Sequence, residues 1–476
     1  MAEEITVAEL FAGVGGFRLG LEGHPDSEKD TGFKVVFSNQ WEPPSSTEKN
    51  PPKQWASMIY ELRFGNDGHV NEDIENILND VPNHDLLVGG FPCQDYSVAR
   101  TISGELGIEG EKGKLWTSIR HIIENNQPKM ILLENVPRLL TSPSKKKGLN
   151  FAKIGADLLN LGYDFEWRVI NAGDYGMPQR RRRVFIIAYH SKITPMKNFK
   201  QMETANAVRW LTNAGPFATK YPIHSSPNEK ISCTDWPGID IIDEDKFTNK
   251  QSPFKKAGLC YCEEGGKMLS FNPKPIKEQI NPLKKQLLNP DDERYNRDYL
   301  VTDRLDYWDY VKGRRKEFRI RRKDQSWAEK INVKAGKHGN LWNLYRYYME
   351  DITRWKNLTS SHKAIFEEHL GTNHGVYRYS EGKIGRDDVT RPSRTIVTAE
   401  IGKSPARSRH LFEFQGVMRR LQPIECERLN QFPDDWTKIE GITDSRRGFL
   451  MGNALVVGVI DRLRESLRKL ITENDL

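Results

Sequence analysis

The chain has 476 residues, of which 37% are hydrophobic and 29% charged, and its formal net charge is +7. That length exceeds one ordinary core, so two domains are expected, and no apolar run approaches the roughly 20 residues of a membrane span. Five scattered cysteines and an N-terminus, MAEEITVAELF, without basic and apolar signal regions exclude a disulfide-stapled secreted design and point to the cytoplasm.

Short apolar runs alternate with amphipathic ones from the start. ITVAELF (5–11), KVVFSN (34–39), DLLVGG (85–90), KMILLEN (129–135), FEWRVINA (165–172) and RVFIIAY (183–189) read as strands. LWTSIRHIIENN (115–126) and FAKIGADLLNLG (151–162) have helical spacing. This alternation predicts an α/β fold with a mostly parallel sheet. The rhythm stops near residue 192, and 195–415 is rich in Lys, Arg, Asn, Pro and aromatics, including KGRRKEFRIRRK (312–323) and NLWNLYRYYMEDITRW (340–355). A helical stripe returns over 454–471 through Val456, Ile460, Leu463, Leu467 and Leu470.

Four stretches carry chemistry. ELFAGVGGFRLGLE (9–22) is a strand, a turn with Gly13, Gly15 and Gly16, and a helix start; such a turn lets a nucleotide-like ligand approach the backbone. Its adjacent glycines depart from the dinucleotide pattern G-x-G-x-x-G. After the second strand come Gln40, Trp41 and Glu42, where an acid commonly meets ribose hydroxyls. Cys93 in GGFPCQDYS and Glu134 in LLENVPRLL both follow apolar strands and so reach the ligand-binding edge, as a nucleophile and a general acid. Four arginines in YGMPQRRRRVFIIA (175–188) abut another strand, which turns one of them, Arg183, toward the site. Taken singly, each has a bland reading: a turn, a packed Trp, an inert buried thiol, a solvated charge run.

In their order, these motifs resemble the cytosine-C5 DNA methyltransferases of bacterial restriction–modification systems, over 5–190 and 419–471. LFAGVGGFRLG is similar to that family's S-adenosylmethionine loop. GGFPCQDYS is similar to its Pro-Cys-Gln motif, LENV to Glu-Asn-Val, and QRRRRVF to Gln-Arg-x-Arg. RRLQPIECERLNQFPDDW (419–436) and MGNALVVGVIDRL (451–463) are similar to its last two motifs.

The resemblance implies an α/β, mostly parallel, Rossmann-like methyltransferase sheet with helices on both faces, and a second, largely irregular target-recognition domain. The implied divisions are 1–192 for catalysis and cofactor, 193–418 for DNA recognition, 419–450 for its support, and 451–476 for a helix returning to the catalytic domain. It implies that Cys93 attacks C6 of a flipped cytosine, Glu134 serves N3, and Arg183, with Arg181, holds the ring; Gln94 flanks the nucleophile. S-adenosylmethionine would meet Phe11, Ala12, Gly13, Gly15, Gly16, Gln40, Trp41, Asp73, Ile74, Pro92, Leu115, Asn453 and Ala454. Gln40 stands where the family usually has an acid, leaving Glu42 as a second candidate for the ribose; Ala454 replaces a frequent serine. Ser97 and Arg100, on a glycine-bearing segment after Cys93, would meet phosphates of double-stranded DNA. A monomer without metal is implied, acting beside a restriction endonuclease of the same site. Competing readings are a nicotinamide oxidoreductase, the tRNA-methylating branch of the family, and a DNA-binding protein without catalysis.

Overall fold

The computed structural model describes residues 4–44, 52–91, 114–191, 204–224, 231–238, 242–261, 266–302, 308, 386–403, 406 and 408–473, and the backbone of 329–333 and 374–378. The chain forms two compact units. One comprises Met1–Leu288, Thr390–Thr398 and Pro423–Leu476, the other Asn289–Val389 and Ala399–Gln422.

The first unit is built on a ten-stranded sheet. Its strands are β1 (Ile5–Leu10), β2 (Phe33–Asn39), β3 (His69–Val70), β4 (Leu86–Gly89), β5 (Met130–Asn135) and β6 (Tyr163–Asn171), followed by β8 (Arg182–His190), β9 (Ser232–Asp235), β10 (Ala257–Tyr261) and β11 (Lys267–Phe271); the short β7 (Gln179–Arg180) pairs elsewhere. Their spatial order is β3-β2-β1-β4-β5-β8-β6-β10-β11-β9. The first five pair in parallel; from β5 to β9 every pairing is antiparallel. The result is the expected mixed sheet in which most strands run one way.

Both faces are covered. Period-2 alternation sends Val7, Val88 and Leu132 to one side and Ala8, Leu87 and Ile131 to the other, and each set joins its own buried cluster. The first face takes α1 (Gly16–Glu22) through Phe17 and Leu21. The second takes α3 (Lys114–Asn126) through Ile119, Ile122 and Ile123, and α4 (Leu149–Asn160) through Phe151 and Ile154. Between α1 and α3 in sequence lies α2 (Trp55–Phe64), which the sequence reading did not single out.

After β1 the chain moves outward on one side to β2 and β3; after β4 it moves outward on the other, to β5. The reversal lies between β1 and β4. Ligands of open α/β sheets bind at such a point, beyond the carboxyl ends of the strands. The glycine turn leaves β1 there, and the segment carrying Cys93 leaves β4 there.

Part of the region that looked irregular belongs to this unit. β9, β10 and β11 extend the sheet beyond β6, and residues 390–398 join it by pairing Ser393–Arg394 with β7. The C-terminal motifs supply α5 (Pro423–Leu429), α6 (Asp444–Asn453) and α7 (Val457–Thr472). The predicted stripe of α7 is buried at Ile460, Leu463 and Leu467. Its closest approach to α1 is at Gly20, where a Cβ would stand 2.5 Å from the Ile460 side chain; only glycine fits.

The second unit has a small core of Val301, Trp308 and Leu411. Buried Arg419 lies among the rings of Tyr295, Phe412 and Phe414, and Arg420 donates to the carbonyls of Asp298 and Gly402. The basic run 312–323 lies outside the described residues, as does the aromatic run 340–355.

Candidate active site

The turn after β1 is left-handed at Phe11, Gly13 and Gly15, with φ of 55°, 58° and 83°. Most of it is packed. A Cβ on Gly15 would strike the Phe64 ring at 2.2 Å, and one on Gly16 would meet Leu455 and Phe432. Trp436 Nε1 donates to the Val14 carbonyl at 2.8 Å. Gly13 is different: nothing lies within 4 Å of where its Cβ would stand. The turn is therefore supported from beneath and open at one residue, as a ligand cradle requires.

Gln40 holds that open residue. Its Oε1 accepts from the Gly13 N–H at 2.7 Å, and Ala12 N donates to the Asn39 carbonyl at 2.9 Å. Because a backbone N–H is the donor, the Gln40 oxygen is the atom engaged; its Nε2 donates one N–H to the Trp41 carbonyl at 3.4 Å and has a second N–H to offer. Asn71 Nδ2 donates to the Gln40 carbonyl at 2.5 Å, and Gln54 bonds both the N–H and the carbonyl of Glu42. The Glu42 carboxylate pairs with the Arg446 guanidinium. Only Oε2 is engaged there; Oε1 is buried with no hydrogen-bond partner among the described residues, so Glu42 and Gln40 both keep a group for a ribose.

Three other expected cofactor residues share one apolar cluster: Ile74 is buried in it, and Phe11 and Leu115 pack against it half-buried. Trp41 is half-buried. Asp73 accepts from the Glu75 N–H at 3.1 Å, capping the turn that contains Ile74. Asn453 is exposed at the end of α6, and the half-buried Ala454 donates its N–H to Leu450.

At the neighbouring strand ends stands a carboxylate–arginine pair. Glu134, near the end of β5, accepts from Arg183 Nε on β8 at 2.7 Å; the two side chains are only 13% and 17% exposed. Burial raises the Glu134 pKa, while Arg183 and Arg181 pull it down and leave a net rise. A Cβ on Gly90, just beyond β4, would lie 3.3 Å from Glu134 Oε2. Asn135 Nδ2 donates to the Phe91 carbonyl at 3.2 Å. The chain thus leaves β4 against Glu134. Cys93, Pro92, Gln94, Ser97 and Arg100 lie outside the described residues.

Arg181 stands near enough to Glu134 to pull its pKa down. It is buried and donates to the carbonyls of Ile396 at 3.3 Å and Gly452 at 2.8 Å. Gln179 completes this node, bonding Asn430 Oδ1 at 2.7 Å and accepting from Ile396 N. Sequence reasoning passed over Gln179 and Asn135, although both stand inside quoted motifs. It also passed over Glu9 and Tyr60, joined by a buried bond of 3.0 Å under the glycine turn. The only signal for Glu9 was a polar residue within an otherwise apolar strand; Tyr60 lies in α2.

A glycine-turn ligand cradle and a buried acid–arginine pair at the reversal of an α/β sheet define an enzyme that works on one ligand with another held beside it. The sequence profile of C-5 cytosine-specific DNA methylases matches residues 5–469. The chain is 37% identical to the Type II methyltransferase M.Sau3AI of Staphylococcus aureus, over 98% of this chain and 96% of that one. It is 37% identical to M.HaeII of Haemophilus aegyptius over 40% of this chain and 52% of that one, and 32% identical to M.HhaI of Haemophilus parahaemolyticus over 40% and 51%. The chain belongs to the C-5 cytosine-specific DNA methylase family and is a DNA (cytosine-5-)-methyltransferase. No helix among the described residues is long and apolar enough to cross a membrane.

Proposed function

We propose that the enzyme flips a cytosine out of duplex DNA at a short specific site and methylates C5 through a Cys93 adduct. The supporting observation is the Glu134–Arg183 pair at 2.7 Å beside Gly90, a residue that precedes Cys93 by three positions in the chain. The Cys93 thiolate adds to C6, forming an S–C6 bond and driving ring electrons toward N3 and C5. Glu134, whose proton is favoured by burial, donates to N3; Arg183 fixes that carboxyl and faces O2. C5, now nucleophilic, gains the methyl group. Loss of the C5 proton to a base expels the Cys93 thiolate, and the N3 proton returns to Glu134, which restores the neutral ring. Flipping costs a few kcal/mol, which contacts to the strand must offset.

S-adenosylmethionine, when bound, supplies an electrophilic methyl group. The residues present fit it: Gly13 is open, Gln40 offers Nε2 to a ribose hydroxyl, and Phe11, Ile74 and Leu115 form an apolar wall for an adenine. Trp41, Asp73, Pro92, Asn453 and Ala454 complete the proposed set, and Ser97 and Arg100 are the proposed phosphate contacts. Arg181 holds the segment that leads into Asn453. The names of the relatives support a role as the modification enzyme of a Type II system, paired with a nuclease of the same site.

Duplex DNA carrying 5-fluorocytosine tests the mechanism, because fluorine at C5 cannot leave as a proton. With S-adenosylmethionine, the wild type is expected to form a denaturant-resistant adduct and Cys93→Ala none. An active wild type that forms no adduct overturns it.

A further inference from the structure

Two loops at the sheet edge that carries Glu134 are unused by the chemistry above. One, 142–148, links β5 to α4; the other, 248–256, leads into β10. They are tied together: Lys147 N donates to the Thr248 carbonyl at 2.9 Å, and Ser252 Oγ donates to Leu140 at 2.5 Å. They are also tied to the sheet, since Trp167 Nε1 donates to the Lys255 carbonyl at 3.0 Å and Val169 N to that of Lys256 at 2.7 Å.

These loops carry Lys145, Lys147, Lys250, Lys255 and Lys256, and none makes an ion pair with a carboxylate among the described residues. The nearby acid Glu244 is taken by Lys146 and Lys153, and Asp243 by Lys246. Five uncompensated cations on rigid loops repel one another, so a fold that keeps them gains only if something anionic is met.

Register places them. Glu134 pairs with Phe185, Phe185 with Arg168, and Arg168 with Ala257. Ala257 is therefore level with the catalytic carboxyl, three strand spacings away, which is about 14 Å. Lys255 and Lys256 stand just before it, beyond the same edge. On duplex DNA about 14 Å is some four base pairs.

We infer that this lysine platform binds the phosphate backbone of duplex DNA flanking the target site. The inference rests on the reading of duplex DNA as the substrate. It places a DNA contact on the unit that carries the sheet.

The test uses the full-length enzyme and a mixed-sequence 40-base-pair duplex, with binding followed by fluorescence anisotropy across a salt series. Lys255→Glu with Lys256→Glu is expected to weaken binding about tenfold near 0.1 M salt and to lower the salt slope by about 1.8, or 0.9 per phosphate contact. The milder Lys255→Gln with Lys256→Gln should show the same direction. Lys29→Glu with Lys34→Glu, an equal charge change at the opposite edge, should leave the slope unaltered. S-adenosylhomocysteine binding reports that each variant is folded. An unchanged slope in the platform variants, or an equal loss in the opposite-edge variant, overturns the inference. A wild type that methylates no duplex DNA would instead overturn the substrate reading.

Discussion

Two buried glutamates in the same sheet have opposite surroundings. Glu134 at the end of β5 faces a guanidinium at 2.7 Å and stays beside the open site. Glu9 in β1 is fully buried, accepts from the Tyr60 hydroxyl at 3.0 Å, and its Oε1 has no side-chain partner among the described residues. Burial lifts both, but Glu9 reaches about 7, because the Tyr60 hydroxyl and, more weakly, Arg18 offset only part of the burial. A guanidinium bonded directly to the carboxyl restrains the rise more than a neutral hydroxyl with a cation farther off. Burial alone therefore does not mark a reacting group.

The sharpest way to break this contrast is Glu134→Gln. Methyl transfer should fall about 10²- to 10⁴-fold in single-turnover assays, with S-adenosylhomocysteine binding retained. Arg183→Met strands the carboxyl instead, and should also lower stability by about 3 kcal/mol in urea unfolding. Equal activity in either variant would remove Glu134 from the chemistry.

Glu9 should act on stability. Between its usual 4.5 and about 7 the folded protein keeps the proton that the unfolded chain has released. Stability is then greatest below 4.5, declines as pH rises to about 7, and stays lower above. The shift corresponds to a loss of on the order of 3 kcal/mol. Glu166, buried against Tyr189 and also at about 7, adds a second decline of the same sign. Urea midpoints against pH should therefore show Glu9→Gln losing about half of the slope; an unchanged slope would refute the assignment.

The smallest effect concerns an acid that is missing. Gln40→Glu keeps the acceptor for the Gly13 N–H, gives up the long 3.4 Å bond from Nε2 to the Trp41 carbonyl, and turns that donor into a charged acceptor. Calorimetry with S-adenosylhomocysteine should read binding tighter by about five- to tenfold, roughly 1 kcal/mol. Weaker binding would mean that no ribose hydroxyl lies there.

The strands β1, β2, β4, β5, β6 and β8, the turn at Gly13 and the edge position of Glu134 were legible in the sequence. Each follows from a local pattern: a short apolar run, a glycine cluster, a polar residue directly after a strand. The extension β9–β11 was not legible, because short antiparallel strands in a polar, aromatic-rich stretch carry no period that separates them from loop. Helix α2 was missed among prolines and polar residues for a like reason.

The sequence by itself determined the α/β order and the family, because both depend on motifs whose residues lie close together in the chain. Only the tertiary structure decided which arginine holds Glu134 and which, Arg181, anchors Ile396 and Gly452, 215 and 271 residues away. It alone brought Arg446 to one oxygen of Glu42 and the Gly13 N–H to Gln40. Alternation along a strand tells which way a side chain points; what it meets there is set by segments that arrive from elsewhere in the chain.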